Sequence, residues 1–164
     1  MKESDKIAGV IRKEVDTVFA VTGSCVVNLL DSLHKNGVNI ISMHHEQSCA
    51  IAADAYARFK GLGVAIGTSG PGTTNLLTGT CCSFFDSIPV LTIGGQVPSN
   101  FLDKEDRQTG FQEVDGVAIF KPITKCAVRY SKIEDLENCI KVAKQVRKGP
   151  TFLEISDDVQ RRFT

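Results

Sequence analysis

The stretch "GVAIGTSGPGTTN", residues 63–75, decides the fold. Its first half is a short continuous apolar run, the pattern of a strand buried on both faces. Its second half crowds Gly70, Pro71 and Gly72 into a tight turn that opens a helix. A buried strand turning directly into a helix is one half of a parallel βαβ crossover. Gly70 and Gly72 permit backbone conformations closed to other residues and close approach by a ligand. The turn is neither GxGxxG nor a Walker loop, since the required lysine is missing. Taken alone, it fits plain turn geometry as well as it fits a site.

The same alternation continues in both directions. Upstream, residues 4–15 carry Ile7, Val10, Ile11 and Val15 at helical spacing, with Ser4 as the expected N-cap. "TVFAV" (17–21) reads as a strand ending at the turn Thr22-Gly23-Ser24, from which a helix runs to Asn36-Gly37. "VNIISM" (38–43) is the next strand, and 46–61 a small-residue helix closing on Gly61. Downstream, a single helix follows the glycine-rich turn, then "IPVLTIGG" (88–95) forms a strand. Residues 96–116 are polar and aperiodic, the mark of a functional loop or lid, expected to be mobile unless further domains pack on it. "ITKCAVRY" (123–130) is strand-like, 132–149 an amphipathic helix, "PTFLEIS" (150–156) a last buried strand and "DDVQRRFT" an exit segment. The pattern predicts one α/β domain over 1–164, three-layer α/β/α, its six-stranded parallel sheet covered on both faces. Sites in such sheets gather at the carboxyl ends of the strands, where the turns at 22–24, 44–46, 68–72 and 94–96 all fall.

Composition excludes several classes. Nineteen basic and nineteen acidic side chains cancel, so charge declares neither a nucleic-acid nor a membrane surface. No apolar run approaches the length of a membrane span, and the charged amphipathic start lacks a signal-peptide core; a cytoplasmic protein is expected. The six cysteines include no CxxC pair and read as buried free thiols in a reducing compartment.

Glu46, in "HHEQ" (44–47), stands where a strand ends and a helix begins. It either does chemistry there or merely favours the positive end of the helix dipole. His45 and Cys49 share helical spacing, but no second pair completes a metal site, so no metal ligand is expected on this chain. A hydrolase built on Cys81 or Cys82 with His45 is disfavoured because both cysteines fall mid-helix. Phe111, an aromatic in the polar loop, either caps a ligand or packs the loop on its own domain.

Each signal is soft, but their order is not. HEQ (45–47), YAR (56–58), TSGPGTTNL (68–76), DSIPV (86–90), GQVP (95–98), FQEVD (111–115), KPITK (121–125) and GP–FLEISDDVQ (149–160) follow one another. With them the chain resembles acetolactate synthases and related thiamine-diphosphate enzymes, over nearly its whole length. The resemblance implies the N-terminal pyrimidine-binding domain of the thiamine-diphosphate-binding fold. Glu46 maps to the family's essential glutamate, which bonds the pyrimidine N1′ and favours the tautomer that accepts the thiazolium proton. Burial among Ile51, Ala52 and Ala53 is expected to raise its pKa toward that task. Gly23, Glu46, Pro71, Asn75 and Gln112 would contact the cofactor; Ser24, Phe111 and Gln112 would face the substrate. Thr22-Gly23-Ser24 departs from the family's usual Pro-Gly-Gly, and Val21 replaces a frequent tyrosine, which leaves the acceptor open.

The implied reaction is pyruvate decarboxylation and carboligation to a 2-keto acid or a keto sugar. A simple 2-keto acid decarboxylase subunit and a non-catalytic regulatory or structural copy are the alternatives. Joint retention of Glu46, Pro71, Asn75 and Gln112 weighs against the latter. The family's GDG…Asn motif is absent, so Mg2+ ligands are expected on a diphosphate-binding domain, on a longer polypeptide or a separate subunit. FAD is an option for the full enzyme, which the resemblance makes a homo-oligomer. The chain alone is expected to be inactive, either as a fragment of a longer enzyme or as the small subunit of a split one.

Overall fold

The computed structural model describes residues 1–102 and 105–163. In chain order, α1 (Glu3–Glu14), β1 (Thr17–Ala20), α2 (Val27–Lys35) and β2 (Asn39–Ser42) lead to α3 (Glu46–Lys60) and β3 (Gly63–Gly67). The glycine-rich turn opens not one helix but two, α4 (Pro71–Thr74) and α5 (Leu77–Asp86), followed by β4 (Val90–Gln96). After the loop come α6 (Gly116–Phe120), β5 (Ala127–Arg129), α7 (Ile133–Lys144), β6 (Thr151–Ser156) and α8 (Asp157–Arg161), with 3-10 turns at Ser99–Phe101 and Lys121–Ile123. The six strands form one parallel sheet in the order β2-β1-β3-β4-β6-β5. All carboxyl ends therefore share one edge. The order reverses between β1 and β3, which opens a crevice there.

Strand periodicity sorts the core into two layers. Val64, Ile66, Leu91, Ile93, Leu153 and Ile155 point to the side of α1, α2 and α7, against Ile7, Leu29 and Leu33. Each such fully buried aliphatic side chain contributes about 1.5–3 kcal/mol. Ala65, Val90 and Phe152 point the other way, against Ala50, Ala53 and Ala57 of α3. Phe120 stacks on Phe152 with ring centroids 4.2 Å apart. On this second side small residues let α3 settle close. A Cβ placed on Gly63 would lie 2.0 Å from the Ala53 carbonyl oxygen, and one on Gly79 2.4 Å from the Ala50 Cβ.

Several boundaries depart from the sequence reading. Lys2, not Ser4, caps α1; Ser4 lies inside the helix, fully buried, and accepts a hydrogen bond from Ser32 Oγ at 2.8 Å. The strand expected over 123–130 is only Ala127–Arg129, because the Lys121–Ile123 turn and a bond from Thr124 Oγ1 to the Phe120 carbonyl bend the chain first. The helix expected to 149 stops at Lys144, where Lys125 Nζ donates to the carbonyls of Val142 and Gln145. Edge strand β2 is largely exposed and edge strand β5 half-buried, so full coverage of both faces holds for β1, β3, β4 and β6. The exit segment contains a helix, and its Gln160 is fully buried. Among the described residues no helix is long and apolar enough to cross a membrane.

Candidate functional site

The crevice between β1 and β3 gathers most of the residues singled out from sequence. The chain leaves β1 toward Gly23 and leaves β3 toward Thr68. These turns touch so closely that a Cβ on Gly23 would lie 2.4 Å from Thr68 Cβ. Thr68 Oγ1 accepts a hydrogen bond from the Cys25 amide at 3.3 Å. Gly72 stands on the far side of Thr68; a Cβ there would meet Thr68 Cγ2 at 2.7 Å and Glu46 Oε1 at 3.3 Å. Glu46 opens α3 and is 7% exposed. Its Oε2 accepts from Asn75 Nδ2 at 2.9 Å. Asn75 is the C-cap of α4, just before α5, so the bend between those helices aims its amide at α3. Pro71, exposed, is the first residue of α4. Glu46, Asn75, Gly72 and Gly23 thus form one continuous surface.

The loop supplies a wall. Gly70 and Gln112 both have left-handed φ, 60° and 56°. Gln112 lies directly on Gly70, where a Cβ would come within 2.5 Å of its carbonyl oxygen. Only glycine admits that approach in that conformation. Phe111 is 79% exposed, so it does not pack the loop onto its own domain. With Ser24, Cys25, Val97, Pro98 and Phe101 it lines a cavity of about 340 Å³. That volume falls in the range of small-molecule sites. A larger cavity, of about 430 Å³, opens beside Phe84, Lys125 and Arg147 at the opposite edge of the sheet, where strands begin, away from these residues.

Other expectations resolve individually. Ile51 is 47% exposed and does not contribute to burying Glu46, although Ala53 is fully buried. His45 caps α3, its Nδ1 accepting from the Gln47 amide at 3.1 Å. Cys49 points into the core, where burial and the nearby Glu46 charge push its thiol up to about 12. Cys81 and Cys82 do lie within α5, and burial raises the Cys81 thiol, which opposes thiolate chemistry. Two of the quoted strings meet as a clamp: Arg58 bonds Asp54 at 2.7 Å and Asp86 at 2.6 Å. Gln160, from the last string, donates to the Cys25 carbonyl at 2.7 Å and accepts from the Leu29 amide at 3.1 Å, locking the turn that bears Gly23 and Ser24. Sequence reasoning passed over Thr68 and Gln160, although both stand in the quoted strings.

Comparison with known proteins agrees with this geometry. The sequence profile described as "Thiamine pyrophosphate enzyme, N-terminal TPP binding domain" matches residues 1–119. The probable acetolactate synthase large subunit of Methanocaldococcus jannaschii is 35% identical over 166 residues, 98% of this chain and 27% of the relative. The acetolactate synthase isozyme 2 large subunit of Escherichia coli (strain K12) is 39% identical over 151 residues, 89% of this chain and 27% of the relative. Chloroplastic acetolactate synthase 2 of Brassica napus is 34% identical over 158 residues, 93% and 24% respectively. The chain spans about a quarter of the length of these relatives.

Proposed function

This chain belongs to the thiamine pyrophosphate enzymes, as an N-terminal TPP binding domain, and from that premise we propose that it holds the cofactor's pyrimidine ring with Glu46 as the proton-exchanging carboxyl. The observation that carries the reading is the setting of Glu46. It is buried at the sheet's switch point, with Oε2 held by Asn75 and Oε1 turned toward Gly72, which has no side chain to fill the space. A flat ring fits where a Cβ would intrude. When bound, thiamine diphosphate supplies the electron sink for cleaving the bond beside a 2-keto group.

In this reading Glu46 Oε1 exchanges a proton with the pyrimidine N1′. Asn75 keeps the carboxyl in one rotamer, because turning it away would sacrifice the bond at Oε2. Pro71 and Gly23 would border the ring, and Gln112 would reach it from the loop. Ser24 and Phe111 line the cavity on the substrate side, excluding water and orienting the acceptor. The whole enzyme decarboxylates pyruvate and passes the two-carbon unit to a 2-keto acid or a keto sugar. The Ser24 hydroxyl supplies a polar contact for the acceptor. The greater length of the relatives supports further domains on the same polypeptide; a diphosphate-binding domain among them would hold Mg2+, FAD is optional, and the full enzyme would be a cytoplasmic homo-oligomer. The isolated chain is inactive.

The test is pyruvate turnover by the assembled enzyme carrying Glu46→Gln. Turnover should fall by about 10²–10⁴ with thiamine diphosphate still bound. Near-normal turnover would remove Glu46 from the chemistry. Product analysis with and without an added acceptor separates ligation from simple decarboxylation.

A further inference from the structure

Strand β6 reads Thr-Phe-Leu-Glu-Ile-Ser, and its carboxylate, Glu154, is 1% exposed. A buried ion is costly unless its acceptors are filled. Glu154 Oε2 accepts from Arg129 Nε of β5 at 2.7 Å. Its Oε1 accepts from Gln96 Nε2 at 3.1 Å and from the Gly116 amide at 3.2 Å. Gln96, the last residue of β4 and also 1% exposed, donates through the same Nε2 to the Val114 carbonyl at 2.6 Å. Its Oε1 accepts from the Val97 amide at 2.9 Å. Gly116 must be glycine for this contact, since a Cβ would lie 2.8 Å from Glu154 Oε1.

Val114 and Gly116 end the loop that carries Phe111 and Gln112. The tip itself is a self-closed unit: Glu113 Oε2 accepts from the amides of Thr109 at 2.9 Å and Gly110 at 2.8 Å. One attachment of that unit to the sheet is therefore the Gln96–Glu154 pair. A carboxylate needed only to neutralise Arg129 would not require the second oxygen's two donors.

We propose that Glu154, acting through Gln96 and the Gly116 amide, is a positioning residue of the site, setting the seat of the 110–116 tip over Gly70 and so the placement of Phe111 and Gln112. The link to catalysis rests on the proposed substrate-side role of those two residues. Glu154 itself touches no reacting atom.

The test compares Glu154→Gln with Gln96→Met in the full-length enzyme. The second variant keeps the bonds of Glu154 to Arg129 and to the Gly116 amide and removes the contacts of Gln96 with Glu154, the Val114 carbonyl and the Val97 amide, so it remains informative if the first fails to fold. Hydrogen exchange of peptides covering 109–117 should accelerate about tenfold or more in Gln96→Met, while β1 and β3 peptides hold their rates. Affinity for thiamine diphosphate should stay within about twofold, and KM for pyruvate or the acceptor should rise more than kcat falls. Unchanged exchange in the loop overturns the proposal whatever the activity. Faster exchange with unchanged kcat and KM overturns the loop's link to the site and, separately from Glu46, the substrate-side reading of Phe111 and Gln112.

Discussion

The floor of the site and its wall are held by different means. Glu46, Gly72 and Asn75 stand on or beside α3 and α4, where glycine contacts bring backbone against backbone. Phe111 and Gln112 ride a loop tied down by hydrogen bonds that Gln96 donates to the Val114 carbonyl, that Glu154 accepts from the Gly116 amide and that Asp158 accepts from Ser99. Close-packed contacts are stiff, because a shift of a few tenths of an ångström meets steep repulsion. Hydrogen bonds to side chains can break singly and exchange with water at a net cost of about 1 kcal/mol. On the proposed reading, the floor suits a proton exchange that tolerates no misplacement, and the wall suits a surface that substrate must pass.

The largest effect should come from attacking the floor's seating. Gly63→Ala drives a methyl to within 2.0 Å of the Ala53 carbonyl oxygen, with backbone on both sides. A loss of about 3 kcal/mol in urea unfolding is expected, the upper end of overpacking costs. A loss below about 0.5 kcal/mol would mean that α3 is not seated by close contact. Asn75→Ala comes next. It leaves Glu46 Oε2 buried without its donor, which should cost about 2 kcal/mol and weaken thiamine diphosphate binding by the assembled enzyme. Unaltered affinity and stability together would detach Asn75 from the floor.

The wall should respond to pH, and its two anchors should respond oppositely. Burial alone would raise the Asp158 carboxyl. The Ser99 hydroxyl at 2.6 Å and amide at 2.8 Å outweigh it and hold the carboxyl below its ordinary 3.8. A depressed folded value means that this stabilisation is complete above the ordinary value and is lost as pH falls through the folded one. Burial dominates at Glu154 and raises it above its ordinary 4.5, against the pull of Arg129, Gln96 and Gly116. Its contribution is complete below 4.5 and fades as pH rises through the raised value. Acid therefore opposes the fold at Asp158 and favours it at Glu154. An amide NMR titration should show the Ser99 signal moving below pH 3.8, and Asp158→Asn should abolish that inflection. Persistence of the inflection in the variant would assign it elsewhere.

The smallest effect on stability belongs to Phe111→Ala. Its ring is 79% exposed, so unfolding should change by less than about 0.5 kcal/mol. In the assembled enzyme the same change should raise substrate KM. A large stability loss would show the ring to be packing rather than wall.

Most of the fold was legible because strand and helix periods are local. β3 with its turn, the closure of α3 on Gly61 and the apolar run of β6 all announce themselves within ten or so residues. The errors lie where distant partners override local preference. Ser4 looked like a cap, but α2 draws its hydroxyl inward through Ser32. Gln160 looked like part of an exit segment, but it reaches two backbone groups near the start of α2. Glu154 went unread as a functional group, although a carboxylate inside an apolar strand is itself a signal that burial has been compensated.

By itself, the amino-acid sequence determined the class of fold, the strand-end location of the candidate residues and, through the order of its motifs, the family. It could do so because periodicity, turn chemistry and motif order are written along the chain. Only the tertiary structure decided that Asn75 bonds Glu46, that Gly23 reaches Gly72 through Thr68, that Gln112 rests on Gly70, and that Glu154 accepts from Gln96 and the Gly116 amide. Those contacts join residues far apart in the chain. They exist because parallel strands in the order β2-β1-β3-β4-β6-β5 bring all their carboxyl ends to one edge.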